Sequence, residues 1–354
     1  MPWRAASMAT MQTECAIVGC QTGALKLFLS GALLAVILLF NSGSPCLAQT
    51  DDPLDTIRVD SDLVDLQVSV ISHDPTKVPA LLRQADFVVT EDGAPQEVTF
   101  FASADAPFDL ILLLDLSGST SNKLKLIRRS SRRFVETARP SDRIAIVSFS
   151  TDVEIVSPLT SNRSELLKAI KDIDKPNGGT NFWDALKFVL DVLVRRQTSR
   201  RSAVVVMTDG VDNALPDVGI NGEGSRTPFP ELLSLTRRSD AVIYPVYLDT
   251  EEEAVRKHHT PKSAYVLARS QLAQVADASG SMLYTASRLE DLESVYERII
   301  LDLGTVYSIG YRPKNSSRDG KWHNVSVRLA NHPELSARTK GGYFARALVR
   351  GNPN

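Results

Sequence analysis

Cysteine is nearly missing: three occur in 354 residues, Cys15, Cys20 and Cys46, and none follows position 46. The body of the chain therefore has no disulfide staple, no thiolate metal site and no cysteine nucleophile. An excess of one charge sign is missing too. A formal net charge of −2 sets up no whole-chain field that would draw nucleic acid or anionic lipid. No G-x-S-x-G nucleophile elbow and no G-x-x-x-x-G-K-[ST] phosphate loop occurs. Histidine is sparse, with His73, His258, His259, His323 and His332. Only the 258–259 pair falls near a strand-end loop of the central region, so a Ser–His catalytic pair lacks its base. Adjacent side chains diverge, and in that charged loop the pair reads as solvated surface. What the chain has in quantity is apolar residue, 43%, enough for a sizeable core.

One apolar run stands apart from that core. Leu27 to Phe40 reads LFLSGALLAVILLF, between Lys26 and the breaker-rich Asn41–Pro45. Fourteen helical residues span about 21 Å, short of the ~30 Å hydrocarbon layer. Cys46 and Ala48 then place small residues at the −3 and −1 positions of a cleavage site before Gln49. The expectation is a secretory signal peptide over 1–48, with the start at Met8 or Met11 accounting for the long leading region. An uncleaved anchor is the alternative, and Pro45 disfavours lipid attachment at Cys46. The chain is thus read as exported, to a periplasmic, cell-surface or extracellular place, with no membrane span after cleavage.

Past a polar linker at 49–56, two grammars alternate. Val64, Leu66, Val68 and Val70 are separated by polar residues, the pattern of a half-buried strand. Phe87–Thr90 and Val98–Phe101 flank Asp92-Gly93 and predict a hairpin. From Phe108 the pattern changes. Leu110–Leu114, Ile144–Phe149, Ala203–Met207 and Ala241–Tyr247 are near-continuous apolar runs, alternating with amphipathic helical stretches. Such runs belong to strands covered on both faces, which means a parallel sheet. Val153–Val156 reads as an edge strand, Asn181–Arg195 and Leu289–Leu303 as helices, and Met282–Tyr284 as a last short strand. After 304 strand alternation returns in Tyr307, Ile309, Tyr311 and again in Val325, Val327, Leu329. Neither flank holds enough strands to be stable alone. Residues 57–104 and 305–346 are expected to form one small β-sandwich around an α/β domain over 107–303, followed by a tail at 347–354. The glycine- and proline-rich stretch 212–230 and the charged stretch 249–262 are read as long loops.

The chemistry concentrates where apolar strands end. Asp115-Leu116-Ser117-Gly118-Ser119 follows the first buried strand, Gly178-Gly179-Thr180 precedes a helix, and Thr208-Asp209-Gly210 closes another strand. In open α/β sheets ligands bind outside the carboxyl ends of the strands. Asp115, Ser117, Ser119, Thr180 and Asp209 are thereby brought to one rim. Oxygen-only ligands suit a hard cation, Mg²⁺ or alternatively Mn²⁺ or Ca²⁺. Two carboxylates and three neutral hydroxyls leave such a cation electrophilic and inviting one more anionic oxygen.

The D-x-S-x-S…T…D pattern on alternating α/β elements resembles the metal-ion-dependent adhesion site of von Willebrand factor type A (VWFA) domains and integrin inserted domains. The resemblance implies a Rossmann-like, doubly wound, mainly parallel sheet. It implies metal contacts from Asp115, Ser117, Ser119, Thr180 and Asp209, partly through water, and a protein partner whose Glu or Asp completes the shell. The flanking segments, Glu91-Asp92-Gly93 ahead and Tyr307–Tyr311 and Gly341–Phe344 behind, are similar to those of the exported VWFA-related proteins abundant in acidobacteria.

Phe182, Trp183, Asp212 and Asn213 follow the site's loops and are read as a partner-binding rim, with the buried first turn of a helix as the alternative for the two aromatics. A structural envelope protein would carry a vestigial metal site and survive loss of Asp115. A phosphohydrolase would use Asp115 as nucleophile, although a second Asp two residues on is wanted and Ser117 stands there. The arginines at 128, 129, 132 and 133 fall on the polar face of an amphipathic helix and are read as solvated, not as a nucleic-acid grip. The expectation is a binding protein and not an enzyme.

Overall fold

A computed structural model describes residues 63–347, apart from 75–78, 175–176, 195–199, 219–223, 259, 287–290 and 316. The expected signal peptide at 1–48, the linker at 49–56, residues 57–62 and all but the first residue of the tail lie outside the described residues.

The centre is a six-stranded sheet in the order β10-β9-β8-β5-β6-β7. Its strands are β5 (Phe108–Asp115), β6 (Arg143–Phe149), β7 (Val153–Thr160), β8 (Arg201–Thr208), β9 (Val242–Leu248) and β10 (Tyr284–Ala286). All neighbours run parallel except β6 and β7, which pair antiparallel at one edge. Every residue of β5, β8 and β9 is buried, as the absence of alternation in their sequences requires. One face packs on α1 (Leu124–Thr137), α2 (Arg163–Asp172) and α7 (Leu292–Leu303), through Ile127, Phe134, Leu166, Tyr296 and Ile299. The other packs on α3 (Phe182–Phe188), which continues as a π-helical turn over Val189–Val194, on α4 (Phe229–Arg238) and on α6 (Lys262–Ser279). Sequence capping logic holds at α2: the Asn162 side chain accepts from the Ser164 and Glu165 N–H groups and donates to the Glu165 carboxylate at 2.8 Å.

The charged stretch at 249–262 is not a long loop. It contains α5 (Glu251–His258), started by Asp249 accepting the Glu251 N–H at 3.2 Å and braced by Glu251 on Arg269 at 3.1 Å. Acidic residues at the first turn complement the helix dipole, a local signal that the absence of apolar periodicity hides.

The flanking strands form two four-stranded sheets. One runs β13-β1-β11-β4, from β13 (Leu335–Arg338), β1 (Val64–Ser72), β11 (Val306–Tyr311) and β4 (Val98–Ala102). The other runs β14-β12-β2-β3, from β14 (Gly342–Phe344), β12 (Trp322–Leu329), β2 (Phe87–Glu91) and β3 (Ala94–Gln96). Leu66, Val68, Phe87, Val89, Tyr307, Ile309 and Tyr311 fill the space between them. The hairpin expectation needs correcting. The turn is at Asp92–Gly93, with φ of 46° and 83°, but the returning arm pairs with β2 only over β3. Val98–Phe101 crosses to the other sheet and pairs with β11, since the facing layers need apolar residues from both ends of this segment. Strand β1 is also not half-buried: Gln67 and Ser69 are buried as well, Gln67 accepting from Ser308 at 3.0 Å. Its polar face is covered by the α/β domain, where α7 packs on β1.

Arg201, at the start of β8, ties the chain's entry into the α/β domain to its exit. Its guanidinium donates to the carbonyls of Ala104, Ala106 and Val306 and lies 4.0 Å over the Phe108 ring. Burial pushes it down to about 10, still cationic at neutral pH.

Candidate metal site at the carboxyl rim

The chain leaves β5 toward β6 on one side and reaches β8 on the other, so the switch point of the sheet lies at the ends of β5 and β8. Asp115 ends β5 and Asp209 follows β8 directly, both essentially unexposed. Asp115 Oδ1 accepts the Ser117 N–H at 2.9 Å, and Oδ2 accepts the Thr208 hydroxyl at 2.6 Å. The Ser117 and Ser119 hydroxyl oxygens stand 3.2 Å apart. Asp209 Oδ1 accepts the Val211 N–H at 3.1 Å, and Oδ2 accepts the Thr250 hydroxyl at 2.7 Å. Thr120 folds its hydroxyl back onto the carbonyls of Asp115 and Ser117 at 3.1 and 2.8 Å, closing the serine loop.

Thr180 reaches the same rim through backbone stitching. Gly118 N–H donates to the Gly178 carbonyl at 3.0 Å, and Asn177 N–H to the Leu116 carbonyl at 2.8 Å. Asn213 then holds Thr180 from the far side: its side-chain oxygen accepts the Thr180 N–H at 3.2 Å while its own N–H donates to the Thr180 carbonyl at 2.9 Å. A side chain on Gly179 would stand 2.6 Å from the Asn213 amide nitrogen, so glycine is what lets the loops close this tightly.

Two buried carboxylates in one place repel. Burial, and then the Asp209 charge, push the Asp115 carboxyl up to about 7, against the lowering effect of its Ser117 and Thr208 hydrogen bonds. The donor set fits a hard divalent cation: two carboxylates whose charges a cation would balance, and neutral hydroxyls around them.

The expected partner-binding rim is corrected in three of its four residues. Phe182 and Trp183 are 1% and 6% exposed, packed as the first turn of α3 against Phe149 and Phe229. Asp212 is fully buried: it accepts the Trp183 N–H at 3.0 Å, the Ala214 N–H at 2.8 Å, and the Ser225 N–H and hydroxyl at 3.0 and 2.6 Å. It caps a helix and fastens the loop after β8, because a helix start leaves N–H groups that need an acceptor. Asn213 is half-buried and positions Thr180. Thr208 and Thr250 were not among the expected site residues. The available signal was position, since each sits at the carboxyl end of a central strand as Asp115 does.

Residues 110–211 match the von Willebrand factor type A domain family. The chain carries a von Willebrand factor type A domain. The matched segment holds all five candidate ligands, between β5 and the turn after β8. Over 219 residues the chain is 26% identical to the probable E3 ubiquitin-protein ligase WAVH2 of Arabidopsis thaliana, covering 57% of this chain and 30% of that protein. The collagen alpha-1(VI) chain of Gallus gallus is 29% identical over 145 residues, 37% of this chain and 13% of that one. The chain thus spans less than a third of either relative. Among solved structures, the vWF domain of the type V pili tip protein Mfa5 from Porphyromonas gingivalis superposes with a TM-score of 0.43 at 15% identity, covering 56% of this chain and 96% of that one. A von Willebrand factor type A protein from Catenulispora acidiphila gives 0.44 at 12% identity, covering 76% and 65%.

The arginines of α1 are engaged with neighbouring groups. Arg129 and Arg133 pair with Glu293 and Glu297 of α7, Arg132 with Glu136, and Arg128 donates to the Ile173 carbonyl. No helix among the described residues is long and apolar enough to cross a membrane.

Proposed function

We propose that the A domain is the working part of an exported protein-binding module, and that Asp115, Ser117, Ser119, Thr180 and Asp209 hold Mg²⁺, or Mn²⁺ or Ca²⁺, for capture of an acidic residue on a partner. The observation that carries the proposal is the pair of buried carboxylates at the switch point of the sheet, where burial and the Asp209 charge raise the cost of ionising Asp115, beside two hydroxyls 3.2 Å apart. A bound divalent cation supplies an electrophilic centre for a partner's Glu or Asp carboxylate. The chain's own residues do the rest. Thr208 and Thr250 aim the two carboxylates, Thr120 fixes the serine loop, and Asn213 fixes Thr180. The rim open to a partner is then the half-buried Gly118, Ser119, Asn181 and Asn213, not the aromatics.

A vestigial site in a structural envelope protein has one observation in its favour: hydrogen bonds from Ser117, Thr208, Val211 and Thr250 already satisfy the two carboxylates. The nucleophile role for Asp115 has less. A phosphoryl group needs a line of attack that full burial denies, whereas a cation is smaller and acts through bound water.

Retention on an immobilised poly-glutamate peptide tests the reading. The wild-type chain is held in Mg²⁺ or Mn²⁺ and released by chelator, and Ser119→Ala abolishes retention. Retention indifferent to chelator and to Ser119→Ala contradicts metal-dependent capture.

A further inference from the structure

A second cluster of metal-type ligands lies in the β-sandwich, on the sheet formed by β14, β12, β2 and β3. Glu91 ends β2, Asp92 opens the turn that follows, and His323 sits on β12 beside them. One ligand atom from each lies within 4.8 Å of the others. His323 Nδ1 is 2.8 Å from Asp92 Oδ2 and 3.6 Å from Glu91 Oε1. Glu91 is 2% exposed, and its other oxygen accepts the hydroxyls of Tyr311 and Tyr343 at 2.7 and 3.2 Å. The His323 side chain is 7% exposed and stacks on Tyr343 with centroids 5.6 Å apart.

The decisive atom is the far ring nitrogen. His323 Nε2 is buried without a hydrogen-bond partner, and it faces a third carboxylate, Asp319 Oδ1, at 3.8 Å. A neutral ring protonated on Nδ1 aims its Nε2 lone pair at Asp319. A ring protonated on Nε2 aims the Nδ1 lone pair at two carboxylates. Neither neutral form fits its surroundings. A doubly protonated ring removes the conflict by burying a positive charge, and a cation on Nδ1 removes it as well: the cation takes the Nδ1 lone pair and one oxygen each from Glu91 and Asp92, and the Nε2–H then points at Asp319. That is the usual arrangement of metal-bound histidines, whose other ring N–H turns to a carboxylate.

We infer that Glu91, Asp92 and His323 form a second divalent-metal site, separate from the A domain and selective for a transition ion such as Zn²⁺. Nitrogen in the ligand set favours Zn²⁺ over Ca²⁺, which takes oxygen alone. Asp92, with its side chain 44% exposed, is the open side of the site, where water completes the shell. The ion fastens the β2–β3 turn to β12, already joined by the Asp92 N–H to the Asn324 carbonyl and the Asn324 N–H to Asp92 Oδ1, both at 2.9 Å.

The test uses the full chain carrying Asp115→Ala, so that the A-domain site is disabled, stripped of metal and titrated with Zn²⁺ by calorimetry. One equivalent is expected. Asp92→Asn keeps a residue that tolerates the positive φ of 46° and an oxygen for the Asn324 N–H, so the turn survives. Asp92→Asn and His323→Gln are each expected to weaken Zn²⁺ by about 100-fold or more, and Asp319→Asn by ~10–100-fold. Circular dichroism of each variant separates ligand loss from unfolding. An Asp115→Ala chain that takes up no Zn²⁺ overturns the inference. So does binding that Asp92→Asn and His323→Gln leave unchanged, or a His323 resonance that titrates with pH as an imidazolium ion pair and ignores Zn²⁺.

Discussion

Asp115→Asn is expected to make the metal-free protein more stable above neutral pH and no more stable in acid. In the folded chain the Asp115 carboxyl is raised to about 7, first by burial and then by Asp209. Its value in the unfolded chain is about 3.9. The folded state therefore binds the proton more tightly, and stability falls as pH rises from about 4 to about 7. Some three units at 1.36 kcal/mol each set a ceiling of about 4 kcal/mol for that loss. Asparagine avoids it but cannot accept from both the Ser117 N–H and the Thr208 hydroxyl, which costs about 1 kcal/mol. The variant should gain about 2–3 kcal/mol at pH 8 and lose about 1 kcal/mol at pH 3.5, where Asp115 is protonated in the folded chain and largely so in the unfolded one. Urea unfolding in chelator at the two pH values reads this directly. Mg²⁺ at a hundred times its dissociation constant should then restore about 2.7 kcal/mol to the wild type and nothing to the variant. Parallel pH profiles for the two proteins in chelator would refute the reasoning.

Two further perturbations probe the surroundings. Asp212→Ala strips the acceptor from the N–H groups of Trp183, Ala214 and Ser225, so urea unfolding should show a loss of about 3–5 kcal/mol, and the loop after β8 should gain early proteolytic cuts. Asp65, on β1, is raised to about 6 by burial and by Asp240, partly offset by Lys340. Its ionised form costs the folded state up to about 3 kcal/mol, a loss that develops as pH rises from about 4 to about 6, so Asp65→Asn should be the more stable protein at pH 7.5 but not at pH 3.5 by urea midpoints.

The parallel sheet was legible because Leu110–Leu114 and Ala203–Met207 have no polar alternation, which only strands covered on both faces permit. Asp115, Ser117, Ser119 and Asp209 stand out as candidates because their loops follow such strands, and Thr180 because its glycine pair opens a helix at the same rim. Phe182, Trp183 and Asp212 misled for a related reason: adjacency to a ligand loop says nothing about which way a side chain turns, and the start of α3 needs an apolar anchor and an acceptor for its N–H groups. Thr208 was hidden because a threonine that orients a carboxylate looks like any β-branched strand residue, and Thr250 because it lies two residues past the end of β9 with only its position to mark it. The charged helix α5 has no apolar stripe to announce it. Val98–Phe101 looked like a hairpin arm because switching between facing sheets leaves no mark on alternation. The Glu91–Asp92–His323 cluster joins residues more than 230 positions apart through β2–β12 pairing, beyond the reach of local spacing.

The most direct test of the central claim is calorimetric titration of the chain from residue 49 onward with Mg²⁺ and Mn²⁺, wild type beside Asp115→Ala. The account predicts one site in the wild type that the substitution abolishes, with circular dichroism unchanged. Absence of binding to either protein, or equal binding to both, would contradict a metal site at Asp115, Ser117, Ser119, Thr180 and Asp209.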